Sequence, residues 1–209
     1  MKYKNKIQHN QSCKECKERI FELLTNVYGD VEKQYKLGIL TNLKHYEENK
    51  RYSDMEKIFN CLTNERGHEN FIKKPNLSPV DYYIKNETDK SKEFILEFDE
   101  SQHFTNLRKV ALENYPSSLN LGFDKEKWIS LCESLNRHDN DPIFRDEQRA
   151  WYDTLRDFAP SILEIAPTVR LFASDYIWCE LDVGNENDLK KFKNIVEMKI
   201  KHGNSYYCE

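Results

Sequence analysis

Five polar side chains fall close together in the middle of this sequence. Asp81 follows Ser78-Pro79-Val80, and Glu97, Asp99, Gln102 and His103 lie within Phe94-Ile-Leu-Glu-Phe-Asp-Glu-Ser-Gln-His-Phe-Thr105. Side chains alternate along a strand, so Phe94, Leu96 and Phe98 share one face while Ile95, Glu97 and Asp99 share the other. Glu97 and Asp99 then stand about 7 Å apart, where the chain leaves the sheet. Asp81, on a preceding strand paired as a hairpin, can face the same side. Three converging carboxylates repel one another unless a cation or a proton compensates. All-oxygen donors suit Mg2+ or Mn2+. A cation held by Asp81, Glu97 and Asp99 can activate water and neutralise charge on a phosphoryl oxygen. Alternating acids on a strand are also a common form of solvated outer face. Against that, Phe-Ile-Leu-Glu-Phe-Asp is too apolar for an edge strand in water, which predicts a central strand. Gln102 and His103 add polar groups at the same corner.

Several elements must position these groups. The spacing predicts a helix over 12–28, opened by a Ser12/Glu15 capping box and stopped at Gly29. An extended segment over 31–40 and a helix over 43–64, ended by Arg66-Gly67, follow. A hairpin joins 80–84 to 93–99. Thr105 and Asp124 are the caps of two further helices, the first ended by Pro116 and the second carrying Trp128, Leu131, Cys132 and Leu135. A polar loop at 138–142 precedes a helix over 146–158. Strands over 169–173 and 176–181 and an amphipathic helix over 187–202 complete the chain. That order predicts an α/β protein with a mixed sheet flanked by helices.

The motif residues resemble those of the PD-(D/E)xK nuclease superfamily. Pro79-Val-Asp81 is similar to the "PD" element with one residue inserted. Glu97-Phe-Asp99 is similar to the (D/E)xK element with an acid at the Lys position. Leu96-Glu-Phe-Asp-Glu-Ser-Gln-His103 resembles the E-x-D-G-x-x-H block of the Vsr-like branch, with Glu100 in place of Gly. Phe144-Arg-Asp-Glu-Gln-Arg149 and Thr168-Val-Arg-Leu-Phe172 fit the helix and strand that follow in that branch. The likeness covers residues 77–181. It implies a restriction-endonuclease-like core over 76–209, with an N-terminal helical region, 1–75, packed on it. It also implies a Mg2+- or Mn2+-dependent DNA endonuclease. Asp81 and Asp99 would be metal ligands, and Glu97 a ligand or the group that positions water. Gln102 or His103 would orient water or meet the scissile phosphate. Arg145 and Arg149, four apart on one helix stripe, can contact a DNA backbone, or pair with Asp146, Glu147 and Asp153 on a solvated helix; the resemblance places Gln148 and Arg149 near the site. The missing motif Lys implies another residue in its role, a second metal, or a lost activity. In the last case the chain is a nucleic-acid-binding or interaction module that keeps the fold.

Composition bounds these readings. The 11 Phe, 12 Tyr and 3 Trp supply core material, and the net charge of −4 does not mark a nucleic-acid binder. Residues 1–51 carry 11 Lys and Arg against 7 Asp and Glu, so the remaining acids dominate the rest of the chain. Lys2, Lys4 and Lys6 form a basic start that can touch phosphates. No apolar run approaches the ~20 residues of a membrane span, and no apolar stretch follows the basic start. The expectation is a soluble cytoplasmic protein with reduced cysteines, its oligomeric state (a homodimer included) left open. Cys13-Lys-Glu-Cys16 has zinc-ligand spacing, and Cys61 with His68 would have to complete the set at an unusual distance in sequence. Both cysteines fall on the apolar stripe of their helix, so core packing is preferred over zinc. No P-loop, nucleophile elbow or dinucleotide fingerprint is present.

Overall fold

A computed structural model of the chain describes residues 13–202. It is an α/β structure: one four-stranded mixed sheet with helices on both faces. The elements are α1 (Lys14–Tyr28), β1 (Val31–Tyr35), α2 (Tyr52–Arg66), β2 (Val80–Ile84), β3 (Phe94–Asp99), α3 (Asn106–Glu113), α4 (Lys125–Leu135), α5 (Arg145–Leu163), β4 (Val169–Phe172) and α6 (Glu186–His202). The strand order is β1-β2-β3-β4. The first two pairings are antiparallel and β3–β4 is parallel, with Glu97 opposite Arg170. A parallel pair needs a crossover, and here the crossover carries α3, α4 and α5.

β3 is buried along its whole length. Its alternation divides the interior as the sequence predicts. Phe94, Leu96 and Phe98 pack with Ile20, Leu23 and Leu24 of α1 and Phe192 and Val196 of α6. Ile95 points to the opposite side, among side chains of α2 to α5. Burying one such aliphatic or aromatic side chain contributes roughly 1.5–3 kcal/mol. Glu97 and Asp99 face the second layer too, so this side of the sheet is apolar at one end and ionic at the other.

Local signals hold at several boundaries. Thr105 accepts from the Arg108 amide and Asp124 from the Lys127 amide. Gly67 closes α2 at φ 74°, a left-handed position that glycine adopts without a Cβ clash. Others differ. Ser12 lies outside the described residues, as do Lys2, Lys4 and Lys6; the described cap of α1 is Cys13, whose Sγ accepts from the Cys16 amide at 3.2 Å. The helix expected over 43–64 is two pieces, a 3-10 turn at Leu43–Tyr46 and α2, separated near the loose Tyr46–Tyr52 step. The strand expected over 176–181 is a 3-10 turn, Trp178–Glu180. The Trp178 indole donates to the Phe172 carbonyl at 3.1 Å, which folds this apolar run back onto β4 instead of letting it extend. The N-terminal region is not wholly helical, since β1 is the edge strand of the sheet. No helix among the described residues is long and apolar enough to cross a membrane.

Candidate active site

At the end of the β2–β3 hairpin, carboxylates replace part of the backbone ladder. The pairing runs from Ile84–Phe94 to Tyr82–Leu96, which brings Asp81 beside Glu97. Asp81 Oδ2 accepts from the Phe98 amide at 2.9 Å, and Glu97 Oε1 accepts from the Asp81 amide at 3.3 Å. Each side chain therefore grips the other strand's backbone, and both acids are held at one corner.

A lysine enters this corner from α1. Lys17 Nζ lies 3.9 Å from Asp81 Oδ1 and 3.8 Å from Glu100 Oε1. Its backbone carbonyl accepts from the Tyr82 hydroxyl at 2.7 Å, which anchors this turn of α1 against β2. Sequence reasoning missed Lys17. It lies far from the motif in a helix rich in Lys and Glu, and only the packing of α1 on the sheet identifies it.

Glu97 is nearly enclosed. Its Oε1 lies 3.3 Å from Arg156 Nε. Burial pushes its carboxyl up to about 8; Arg156 opposes the shift and Asp81 adds to it. Arg156 also donates to Ser78 Oγ at 2.8 Å, tying α5 to the segment before β2. Glu100 is buried, and its Oε1 lacks a hydrogen-bond partner. The nearest charge to this oxygen is the Lys17 ammonium, which joins Glu100 to Asp81.

Asp99 belongs to a different environment. Its Oδ1 accepts from Arg170 Nη1 and its Oδ2 from the Trp128 indole, both at 2.7 Å. Arg170, completely buried, also donates to Asp157 Oδ1 at 2.7 Å and to the Asp153 carbonyl at 3.2 Å. Asp157 Oδ2 accepts from Arg108 at 2.6 Å and from the Tyr115 hydroxyl at 2.8 Å. This is an ionic core between β3, β4, α3 and α5. Both oxygens of Asp99 accept hydrogen bonds within it, while Asp81 and Glu97, the other two expected ligands, stand at the corner. Neither Asp81, Glu97 and Asp99 nor Asp81, Glu97 and Glu100 form a group of mutually close donor atoms; among the described residues that geometry is met by Cys13, Cys16 and Cys179, all within 4.8 Å of one another.

His103 joins the ionic core as well. Its Nδ1 lies 3.1 Å from Asp153 Oδ2 and 3.8 Å from Asp99 Oδ1. Burial alone would lower its pKa, but Asp153 and then Asp99 outweigh it, so His103 is raised above its ordinary value. His103 thus faces two acids of a core in which Asp99, Asp153 and Asp157 meet Arg108, Arg156 and Arg170. Gln102 is exposed and donates to Glu100 Oε2 at 3.2 Å, so it does reach the acidic corner.

The residues expected to touch DNA are partly committed elsewhere. Gln148 is buried and donates to the Phe71 carbonyl at 2.8 Å. Arg149 donates to the Gln102 carbonyl and to Asp139 Oδ2, both at 3.0 Å, and so braces the loop after β3. Arg145 donates to the Asp141 carbonyl at 3.1 Å and to Gln148 Oε1 at 3.2 Å. The acids of α5 are not the solvated partners that its sequence suggests. Asp146, Glu147, Asp153 and Asp157 are all buried, and Glu147 pairs with Arg66 of α2. No protein-family model, curated protein or solved structure matches this chain.

Proposed function

We propose that the chain is a divalent-metal-dependent DNA endonuclease of the restriction-endonuclease-like type, with its chemistry at the Asp81–Glu97–Glu100–Lys17 corner. The observation that carries this reading is the arrival of Lys17 beside Asp81 and Glu100. The (D/E)xK-like element has Asp99 where a lysine would stand. Lys17, delivered from α1, sets an ammonium beside Asp81 instead.

The ligand set differs from the one the motif suggests. Asp99 accepts from Arg170 and Trp128. Asp81 and Glu97 remain, and Lys17 links Asp81 to Glu100, whose Oε1 has no hydrogen-bond partner. Two carboxylate donors suit Mg2+, which keeps several of its waters and takes few protein ligands. When bound, such an ion supplies charge neutralisation on a phosphoryl oxygen and a lowered pKa for water. The protein's own groups do the rest. Asp81 and Glu97 are fixed by their bonds to the opposing backbone. The Lys17 ammonium offers a charge to a phosphate or to a hydroxide beside it. Gln102, exposed and bonded to Glu100, is placed to orient a water. The ionic core beneath holds the end of β3 rigid.

One observation favours a second reading. Glu97 lies beside Arg156, and Asp81 beside Lys17, so each acid has a countercharge within the chain. A module that keeps the fold and binds nucleic acid or protein without cutting would look like this. Cleavage of plasmid duplex, with and without Mg2+, separates the two. The nuclease reading expects Mg2+-dependent nicking or linearisation that Asp81→Asn abolishes and Lys17→Met lowers at least tenfold. Equal nicking by parent and Asp81→Asn overturns it, and absence of cleavage by parent on plasmid, single-stranded and mismatched DNA favours the module.

A further inference from the structure

Cys13 caps α1, Cys16 lies one turn into it, and Cys179 sits in the 3-10 turn Trp178–Glu180 that follows β4. Their sulfur atoms all lie within 4.8 Å of one another. Cys16 is fully buried, while Cys13 and Cys179 are half-buried and free of disulfides. The sequence alone offered Cys61 and His68 as partners for Cys13 and Cys16. The fold supplies Cys179 instead, from the opposite end of the chain.

We propose that Cys13, Cys16 and Cys179 form a thiolate site for a soft divalent cation, Zn2+, with its fourth position taken by water or another donor. The geometry carries the inference. Zn–S bonds of ~2.3 Å at tetrahedral angles place sulfurs roughly 3.8 Å apart, so the site closes by side-chain adjustment of about an ångström. Backbone amides already face the sulfurs, the Cys16 amide donating to Cys13 Sγ at 3.2 Å. The N-terminus of α1 favours negative charge at this same point. The thiols lose their protons to buffer as the ion binds, since a coordinating thiol is deprotonated outright.

The ion would clip α1 to the turn after β4, a joint already marked by Arg19 Nη1 donating to the Leu181 carbonyl at 2.7 Å. One turn along α1 from Cys13 stands Lys17. The site is therefore structural and separate from the acidic corner, but it fixes the helix that brings the lysine there. The inference does not rest on the nuclease reading, and its test does not use cleavage.

The full chain, purified reduced and without chelator, should carry roughly one zinc per molecule by elemental analysis, as a single site requires. After removal of zinc, added Co2+ should give thiolate-to-cobalt charge-transfer absorption and tetrahedral ligand-field bands. Cys179→Ser should weaken zinc binding at least tenfold in a competition with a chromogenic chelator, while Cys61→Ser leaves it unchanged. Circular dichroism identifies any variant that has lost its fold, and the cobalt spectrum of the parent needs no variant. Absence of charge-transfer absorption in a fully reduced, folded parent overturns the proposal. So does a disulfide between any two of the three cysteines in freshly isolated protein, or zinc affinity unchanged in Cys179→Ser.

Discussion

Asp99→Asn and Asp81→Asn change the same chemical group at two sites, and the structure assigns them opposite consequences. Asp99 is about 1 % exposed, and each of its oxygens receives a charge-assisted or indole hydrogen bond at 2.7 Å. An Asn at 99 can keep one acceptor for Trp128. It then turns an amide N–H₂ toward the Arg170 guanidinium, leaving that charge short of a partner in the interior. Breaking a buried ion pair by removing one partner costs about 3–5 kcal/mol. Asp157 and Asp153 still face Arg170, so the lower end, about 3 kcal/mol, is expected. The Asp81 side chain is 18 % exposed, and an Asn there can still accept from the Phe98 amide. Its cost should stay within about 1 kcal/mol, as for a partly exposed ion pair 3.9 Å long. Urea denaturation at pH 7 with a chelator present, followed by tryptophan fluorescence and circular dichroism, reads both. The expected pattern is a large drop in midpoint for Asp99→Asn with an unchanged slope, and a small one for Asp81→Asn. If Asp99→Asn is as stable as the parent, Asp99 is not an anchor of the ionic core, and its assignment away from the metal is wrong.

Three further outcomes follow from the same geometry. His103 is raised in the folded protein, so its contribution to stability is complete below its unfolded pKa of about 6.5 and is lost as pH rises through the folded value. The stability difference between parent and His103→Gln should accordingly shrink from pH 6 to pH 9, with the contribution of Glu97 common to both; a difference that grows over that range contradicts the assignment. A Cβ at Gly122 would meet the Thr168 carbonyl oxygen at 2.5 Å and its carbon at 2.8 Å, both backbone. Gly122→Ala should therefore lower the denaturation midpoint by an amount equivalent to roughly 1–3 kcal/mol. Arg170→Met removes a countercharge shared by three buried acids, Asp99, Asp153 and Asp157, and should cost at least about 3 kcal/mol at pH 7, as read by thermal melting.

The sequence exposed the alternation of β3 because Phe94, Leu96 and Phe98 mark one face against Ile95, Glu97 and Asp99, and a period of two needs no tertiary information. Caps at Thr105 and Asp124 and the stop at Gly67 were legible for the same local reason. The 176–181 segment was not: an apolar run such as Tyr-Ile-Trp-Cys-Glu-Leu fits a strand equally well, and the Trp178–Phe172 hydrogen bond that bends it is a tertiary contact. The fate of Asp99 was hidden in the parallel register of β3 and β4, which sets Arg170 beside Glu97 and Asp99. Helix α5 reads as charged and solvated, yet it is buried because arginines from α2, α3 and β4 meet its acids. Lys17 and Cys179 carry no local signal. Each gains meaning only from the helix or turn packed against it.

Mn2+ titrated into the chelator-treated parent, Asp81→Asn and Asp99→Asn by isothermal calorimetry tests the acidic corner most directly. Saturable heat in the parent, lost in Asp81→Asn and kept in Asp99→Asn under conditions where both remain folded, is the predicted result. A folded parent that takes up no Mn2+, or binding that survives in Asp81→Asn and vanishes in a folded Asp99→Asn, would contradict it.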